Sequence, residues 1–182
     1  MIQPNTHPMQ SLQHLSRLYQ AAPVAEKNTT DRGWSGLSIN IANSNLLLPT
    51  SSVVRILRMQ NLPSPSRLPG SPGWFSGLVS HRGELIPTID LQQIMEAGAI
   101  SSPSHAKLIC IRSSQGVTGL LVNQVTKLRY FSKHDAVSRG PAFPSMIQKL
   151  LAGVFRQEDS YWGILNLKKL NAHIDQQMGK NA

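Results

Sequence analysis

Apolar positions along this chain fall in short runs with a period of two, the spacing of strands whose side chains alternate between two faces. Residues 37–41 alternate apolar and polar, Asn43-Ser44-Asn45 makes a turn, and residues 46–48 return as an apolar run. Residues 53–57 form a further apolar segment. The clearest instance is GLVSHRGELIPTIDL, residues 77–91: an apolar strand, a polar turn at His81-Arg82-Gly83-Glu84, and a second apolar strand. In the second strand Leu85, Pro87, Ile89 and Leu91 share one face, and Ile86, Thr88 and Asp90 the other. Gly83 supplies the positive φ of a tight hairpin, which holds Arg82 at an exposed tip. That guanidinium either solubilises a loop or presents its planar, permanently charged fork to something outside the fold.

The remaining elements follow from the same reading. Residues 61–73 hold Pro63, Pro65, Pro69 and Pro72, so this stretch is a rigid, non-helical connection. Residues 107–111 and 117–125 pair around Ser113-Ser114-Gln115-Gly116, and residues 152–155 pair with 161–165 across a polar turn. Pro87 inside its strand suits an edge or a bulge. Helical signals are few: a turn over residues 92–97, a short helix over 144–151, and a final helix capped by Asn166. In that last helix Leu167, Leu170, Ile174 and Met178 share one face. About eight short strands with turn signals every 8–12 residues or so define an all-β barrel or sandwich, not a doubly wound α/β fold. Upstream, Leu12, Leu15, Leu18 and Tyr19 lie at helical spacing, and residues 23–33 read as a polar linker. That helix docks on the main domain, docks on a partner, or frays.

Charge changes this picture more than composition does. The chain has 182 residues, a net charge of +9 and only 5% aromatic residues, so its core is mainly aliphatic. No Asp or Glu occurs between Arg32 and Gly83, an interval that holds Arg55, Arg58, Arg67 and Arg82. A second acid-free interval from Ala97 to His134 carries Lys107, Arg112, Lys127, Arg129 and Lys133. Basic residues spread singly through apolar segments make one broadly positive surface, which favours acidic partners. The polar start of the chain and the absence of any apolar run near the roughly 18 residues of a membrane helix point to a soluble, cytoplasmic protein.

Catalytic chemistry finds no foothold in the motifs. There is no glycine-rich phosphate loop and no GxSxG elbow, and His7, His14, His81, His105, His134 and His173 are scattered without metal-ligand spacing. Cys110, the single cysteine, lies in the apolar run Leu108-Ile109-Cys110-Ile111 and reads as a small buried hydrophobe, with a thiol enzyme as the minor alternative. His105, five residues upstream, is a remote candidate base for it. Glu84, Asp90 and Glu96 read as turn and cap residues. No catalytic, cofactor or metal site is expected.

Four ordered segments carry a family resemblance: LLLPTSSVVRIL (46–57), LPGSPGWFSGLVSHRGELIPTIDL (68–91), TGLLVNQV (118–125) and LAGVFRQEDSYWGILNLKKL (151–170). The middle one is the most specific, with its Pro-Gly approach, tryptophan, glycine-led strand, Arg-Gly turn and Asp-Leu close. On these the chain resembles the CheW-type chemosensory coupling proteins, and its N-terminal addition and Trp34-Ser35-Gly36 resemble the branch serving twitching motility and type IV pili (PilI-like adaptors). The resemblance implies an N-terminal extension (1–33), a CheW-like domain (34–177) and a short tail (178–182). Its implied fold is all-β: two packed five-stranded SH3-like barrels, a few short helices and a C-terminal helix.

The resemblance further implies a non-catalytic adaptor, without cofactor, that couples the cytoplasmic tip of a methyl-accepting chemoreceptor to the regulatory domain of a CheA-type histidine kinase. It implies neither membrane insertion nor nucleic-acid binding. Partner-binding residues carried over are Val53, Arg55, Ile56, Ser80, Arg82 and Gly83. Three of the family's positions differ: Ser80 replaces an Asn in the turn, Arg55 replaces a Glu in the Val-x-Glu-Ile strand, and Asn123 replaces an Asp. A partner matched to Glu meets Arg55 instead. The competing function is a basic small-barrel nucleic-acid binder, favoured by scattered Lys and Arg. Against it, Trp34, Trp74, Phe75, Phe131, Phe143, Tyr161 and Trp162 are few and sit where a barrel core or strand ends would place them, not interleaved with the bases as stacking platforms.

Overall fold

A computed structural model describes residues 33–113, 116–138 and 140–179; the expected helix over 11–22 lies outside them. The described strands are β1 (Trp34–Ile41), β2 (Ser44–Pro49), β3 (Val53–Arg58), β4 (Phe75–His81), β5 (Glu84–Asp90), β6 (Lys107–Ser113), β7 (Gly116–Val122), β8 (Val125–Phe131), β9 (Ala136–Val137), β10 (Leu151–Gln157) and β11 (Ser160–Leu165). The described helices are α1 (Leu91–Ile94), α2 (Ser145–Leu150) and α3 (Leu167–Gly179). One sheet runs β8-β1-β2-β11-β10-β9 and the other β3-β6-β7-β5-β4. The chain therefore leaves the first sheet after β2, builds the whole second sheet, and returns at β8.

Burial explains why some runs are uninterrupted and others alternate. Leu46, Leu47 and Leu48 are all fully buried because the two faces of β2 meet different cores. Leu46 and Leu48 join a central cluster with Ile89, Ile109 and Ile111 of the second sheet, whereas Leu47 packs with Phe131, Phe155, Trp162 and Ile164 inside the first. Likewise Ile109 and Ile111 face the shared core, while Leu108 and Cys110 face the second sheet's own interior with Val79 and Ile86. A continuous apolar run is what a strand buried on both faces requires. Helices α1, α2 and α3 close the shared core with Leu91, Ile94, Ile147, Leu150, Leu170 and Ile174.

Local signals landed where the chemistry is local. The Asp90 side chain caps α1 by accepting from the N–H groups of Gln92 and Gln93 at 2.9 and 3.1 Å, and Asn166 caps α3 through the Lys169 N–H at 3.1 Å. Gly77 sits at φ +124°, where a Cβ would come within 2.6 Å of the Ser66 carbonyl oxygen. The proline-rich connection is stitched there to β4 by the mutual Ser66–Leu78 backbone bonds, each 2.9 Å.

One expectation needs correction. Residues 117–125 are not one strand: β7 ends at Val122, and Asn123-Gln124 carries the chain across to β8 in the other sheet. Strand β8 itself was not expected, because Lys127 and Arg129 interrupt its apolar pattern. The first sheet counts six strands, the sixth being the two-residue β9.

Candidate functional site

The β4–β5 hairpin pairs His81 with Glu84, leaving Arg82 and Gly83 as a two-residue loop. Both are left-handed, Arg82 at φ +52° and Gly83 at φ +81°, the signature of a type I′ turn whose twist matches its strands. Gly83 has open space around it, so the turn asks for its backbone freedom and not for its size. Arg82 is exposed in a conformation that a side-chain-bearing residue rarely adopts. Ser80 is exposed beside it, paired with Leu85 across the hairpin.

The second sheet curls so that its edge strand β3 approaches the hairpin base. Arg55 of β3 forms an ion pair and hydrogen bond with Glu84 of β5, although the two strands are not neighbours in the sheet. This contact ties the edge strand β3 to the β4–β5 hairpin at the other end of the strand order. It also raises the Arg55 guanidinium further above its usual range, chiefly through the hydrogen bond that Arg55 donates to the Glu84 carboxylate. Arg55 Nε and His81 Nδ1 remain buried there without hydrogen-bond partners. Buried polar atoms of this kind are uncommon in folded proteins.

Around the ion pair lies an apolar rim. Val54 and Ile56, either side of Arg55, are 39% and 43% exposed, and Leu85, next to Glu84, is 65% exposed. Val53 turns the other way and packs against the shared core. Of the residues expected to bind a partner, Arg55, Ile56, Ser80, Arg82 and Gly83 therefore gather at one end of the second barrel, and Val53 supports that end from inside. The sequence alone does not single out Val54 and Leu85, whose only signal is an outward position on a strand, or Glu84, whose place beside the turn hides its pairing with β3. Its pairing with Arg55 reverses polarity at a strand position and supplies the compensating charge nearby.

Cys110 faces Arg55 across the β3–β6 ladder and is fully buried. Burial pushes its thiol above its ordinary value of 9.0, with Arg55 partly offsetting the shift. A thiol so placed is protonated and inert at neutral pH. Folding disfavours the thiolate, so this group's contribution is complete below about pH 9 and is lost as pH rises above it. Denaturant titrations across pH 8–11 or so should show wild-type stability declining more steeply than Cys110→Ala. Equal slopes would mean the thiol is not desolvated. The aromatic residues, meanwhile, are mostly interior: Phe131 stacks on Phe155 at 4.6 Å, with Trp34 tilted against both. Among the described residues they offer no row of stacking platforms for nucleic acid.

Comparison with known proteins agrees with this geometry. The family model described as the CheW-like domain matches residues 35–175. Protein PilI of Pseudomonas aeruginosa is 22% identical over 153 residues, covering 84% of each chain. Protein FrzA of Myxococcus xanthus is 28% identical over 89 residues, 49% of this chain and 54% of that one. Among solved structures, the scaffolding protein TtCheW from Thermoanaerobacter tengcongensis superposes with a TM-score of 0.64 at 17% identity, covering 80% of this chain and 90% of that one. That likeness establishes the two-barrel, SH3-like architecture.

Proposed function

The chain belongs to the CheW-like domain family of non-catalytic chemosensory scaffolds, and from that premise we propose that it couples a chemoreceptor's cytoplasmic tip to the regulatory domain of a CheA-type kinase. As an adaptor of the chemotaxis and pilus-signalling kind it acts by binding alone. The pathway we propose is the twitching-motility one, supported by similarity to PilI over most of both chains. The place of action we propose is the cytoplasmic side of receptor arrays; no described helix is long and apolar enough to cross a membrane.

The observation that carries the reading is the exposed Arg82 fork, held left-handed at the hairpin tip beside an apolar rim of Val54, Ile56 and Leu85. We assign partner contact to that end of the barrel, through Arg82, Ser80, Ile56 and the Arg55–Glu84 pair, with Gly83 setting the turn and Val53 backing it. A two-pronged guanidinium meets a carboxylate or a row of carbonyls in a partner, and the rim excludes water around it. Calorimetric titration of Arg82→Ala against receptor tip and kinase regulatory domain tests this. Binding should weaken by about 1–3 kcal/mol, with stability unchanged within roughly 0.5 kcal/mol and only partial rescue by lysine. Wild-type affinity for both partners would reduce Arg82 to a solubilising loop residue.

A further inference from the structure

The first barrel has an open edge of its own. Strand β8 ends its sheet and pairs only with β1 among the described residues. The bulge between Leu37 and Ile39 fixes which backbone groups point where. Ser38 Oγ donates to the Lys127 carbonyl at 2.7 Å and accepts the Lys127 N–H at 3.1 Å, so both polar groups of Lys127 face β1. By alternation the N–H and C=O groups of Thr126 and Leu128 face away from the sheet. The next outward carbonyl, that of Tyr130, accepts from Gln157 Nε2 at 3.2 Å, which closes the far end of the edge. Thr126 and Leu128 have no such cover.

The side chains along this edge carry a two-faced pattern. Leu128 and Tyr130 are 45% and 47% exposed on one face. Lys127 and Arg129 lie on the other, without an ion-pair partner among the described residues. Arg129 instead lies over the Trp162 ring at 3.8 Å and donates to Gln157 Oε1 at 3.1 Å, both neutral groups. Arg129 Nε and Trp162 Nε1 stay buried without hydrogen-bond partners. The acids of the adjacent turn, Glu158 and Asp159, do not reach this guanidinium.

We propose that β8 accepts an extended segment of a partner protein, one alternating acidic and apolar residues, as an added strand. A strand laid along β8 sends alternate side chains to opposite faces, so its apolar residues cover Leu128 and Tyr130 while its carboxylates meet Lys127 and Arg129. The same charges oppose pairing of β8 with a second copy of itself, a common protection of sheet edges. The added strand satisfies the outward groups of Thr126 and Leu128 and neutralises charges that the barrel leaves uncompensated. This surface belongs to the other barrel from the Arg82 end, and it rests on the adaptor reading only in taking a protein segment as occupant.

The test uses the full chain and no kinase or receptor, so it can fail while the adaptor reading stands, and the reverse. An end-blocked peptide of alternating Glu and Val, long enough to span β8, is titrated calorimetrically at low salt. Two controls are the Gln-for-Glu peptide and the Glu/Val peptide N-methylated on alternate backbone nitrogens. Both controls should bind at least about tenfold more weakly, and Lys127→Glu should weaken the Glu/Val peptide by a similar factor. Lys127 is exposed, so that variant leaves the core untouched. No binding of the Glu/Val peptide would overturn the proposal, and equal binding of the N-methylated form would reduce it to plain charge attraction. Binding seen only after removal of residues 1–32 would make that segment the occupant, and self-association that Lys127→Glu alters would make it a second copy. Either result also overturns the proposal.

Discussion

Each barrel closes its seam with one arginine, and the two do so by opposite means. In the second barrel Arg55 reaches a carboxylate, Glu84, so the closing contact is neutral in charge. In the first, Arg129 reaches an indole face and an amide, so its full charge stays on the barrel. The interiors differ to match. The second is filled by aliphatic side chains around Leu108 and Cys110, the first by the stacked pair Phe131–Phe155 with Trp162. An aromatic interior gives an arginine a face to lie on, at a cation–π gain of roughly 0.5–2 kcal/mol, where an aliphatic one gives it nothing but desolvation. Charge neutralisation is thus needed in one barrel and dispensable in the other. The barrel that dispenses with it keeps a cation available to a partner.

The largest break in this comparison comes from removing the aromatic interior. Phe155→Ala deletes a fully buried ring that stacks on Phe131 and tilts against Trp34, and should cost about 3–5 kcal/mol in urea denaturation. A single transition is expected, because the central cluster joins both sheets and leaves neither barrel a complete core. Two separated transitions would mean that the barrels fold independently and that the shared cluster is only an interface.

What the sequence made legible follows the same divide between local and distant chemistry. The Arg82-Gly83 turn, the Asn166 cap and the α3 face of Leu170 and Ile174 depend on residues a few positions apart, and each was readable. The two-faced burial of residues 46–48 showed only as an unbroken apolar run, which has no direction in it. Strand β8 was illegible because Lys127 and Arg129 interrupt its apolar pattern, and Arg129 finds its partners in β10 and β11, far along the chain. The Arg55–Glu84 pair joins residues 29 apart in sequence, and only the curl of the sheet brings them together. Alternation along β3 decided that Val54, not Val53, joins the exposed rim.

A smaller break is Glu84→Gln, which keeps the shape of the closing contact and removes its charge. Arg55 is then left half-buried over a neutral amide in an aliphatic barrel, with Nε already unpartnered. The Glu84 side chain is 42% exposed, so solvent screens the pair and the loss should be about 0.5–1 kcal/mol. The loss should shrink further as salt is added. Chemical denaturation at low and high ionic strength measures both. No change at either would show that the second barrel tolerates an uncompensated seam arginine as well as the first does, and the contrast between them would lose its physical basis.

The smallest effect runs the other way. Gln157→Glu places a carboxylate where an amide now accepts from Arg129 Nη1 and donates to the Tyr130 carbonyl. It gives the first barrel the seam chemistry of the second. The new ion pair should add about 0.2–1 kcal/mol, offset in part because a carboxylate cannot donate to Tyr130, so the net stability change should be a few tenths of a kcal/mol of either sign. Its effect on binding separates the two roles of Arg129. Once neutralised from inside the barrel, the guanidinium no longer attracts an outside carboxylate, and an acidic strand on β8 should bind more weakly than to the wild type. The Arg82 end, in the other barrel, should keep its partner affinities. A variant that loses both would show that the two barrels present one continuous surface. A variant that loses neither would show that Arg129 only holds Trp162 in place.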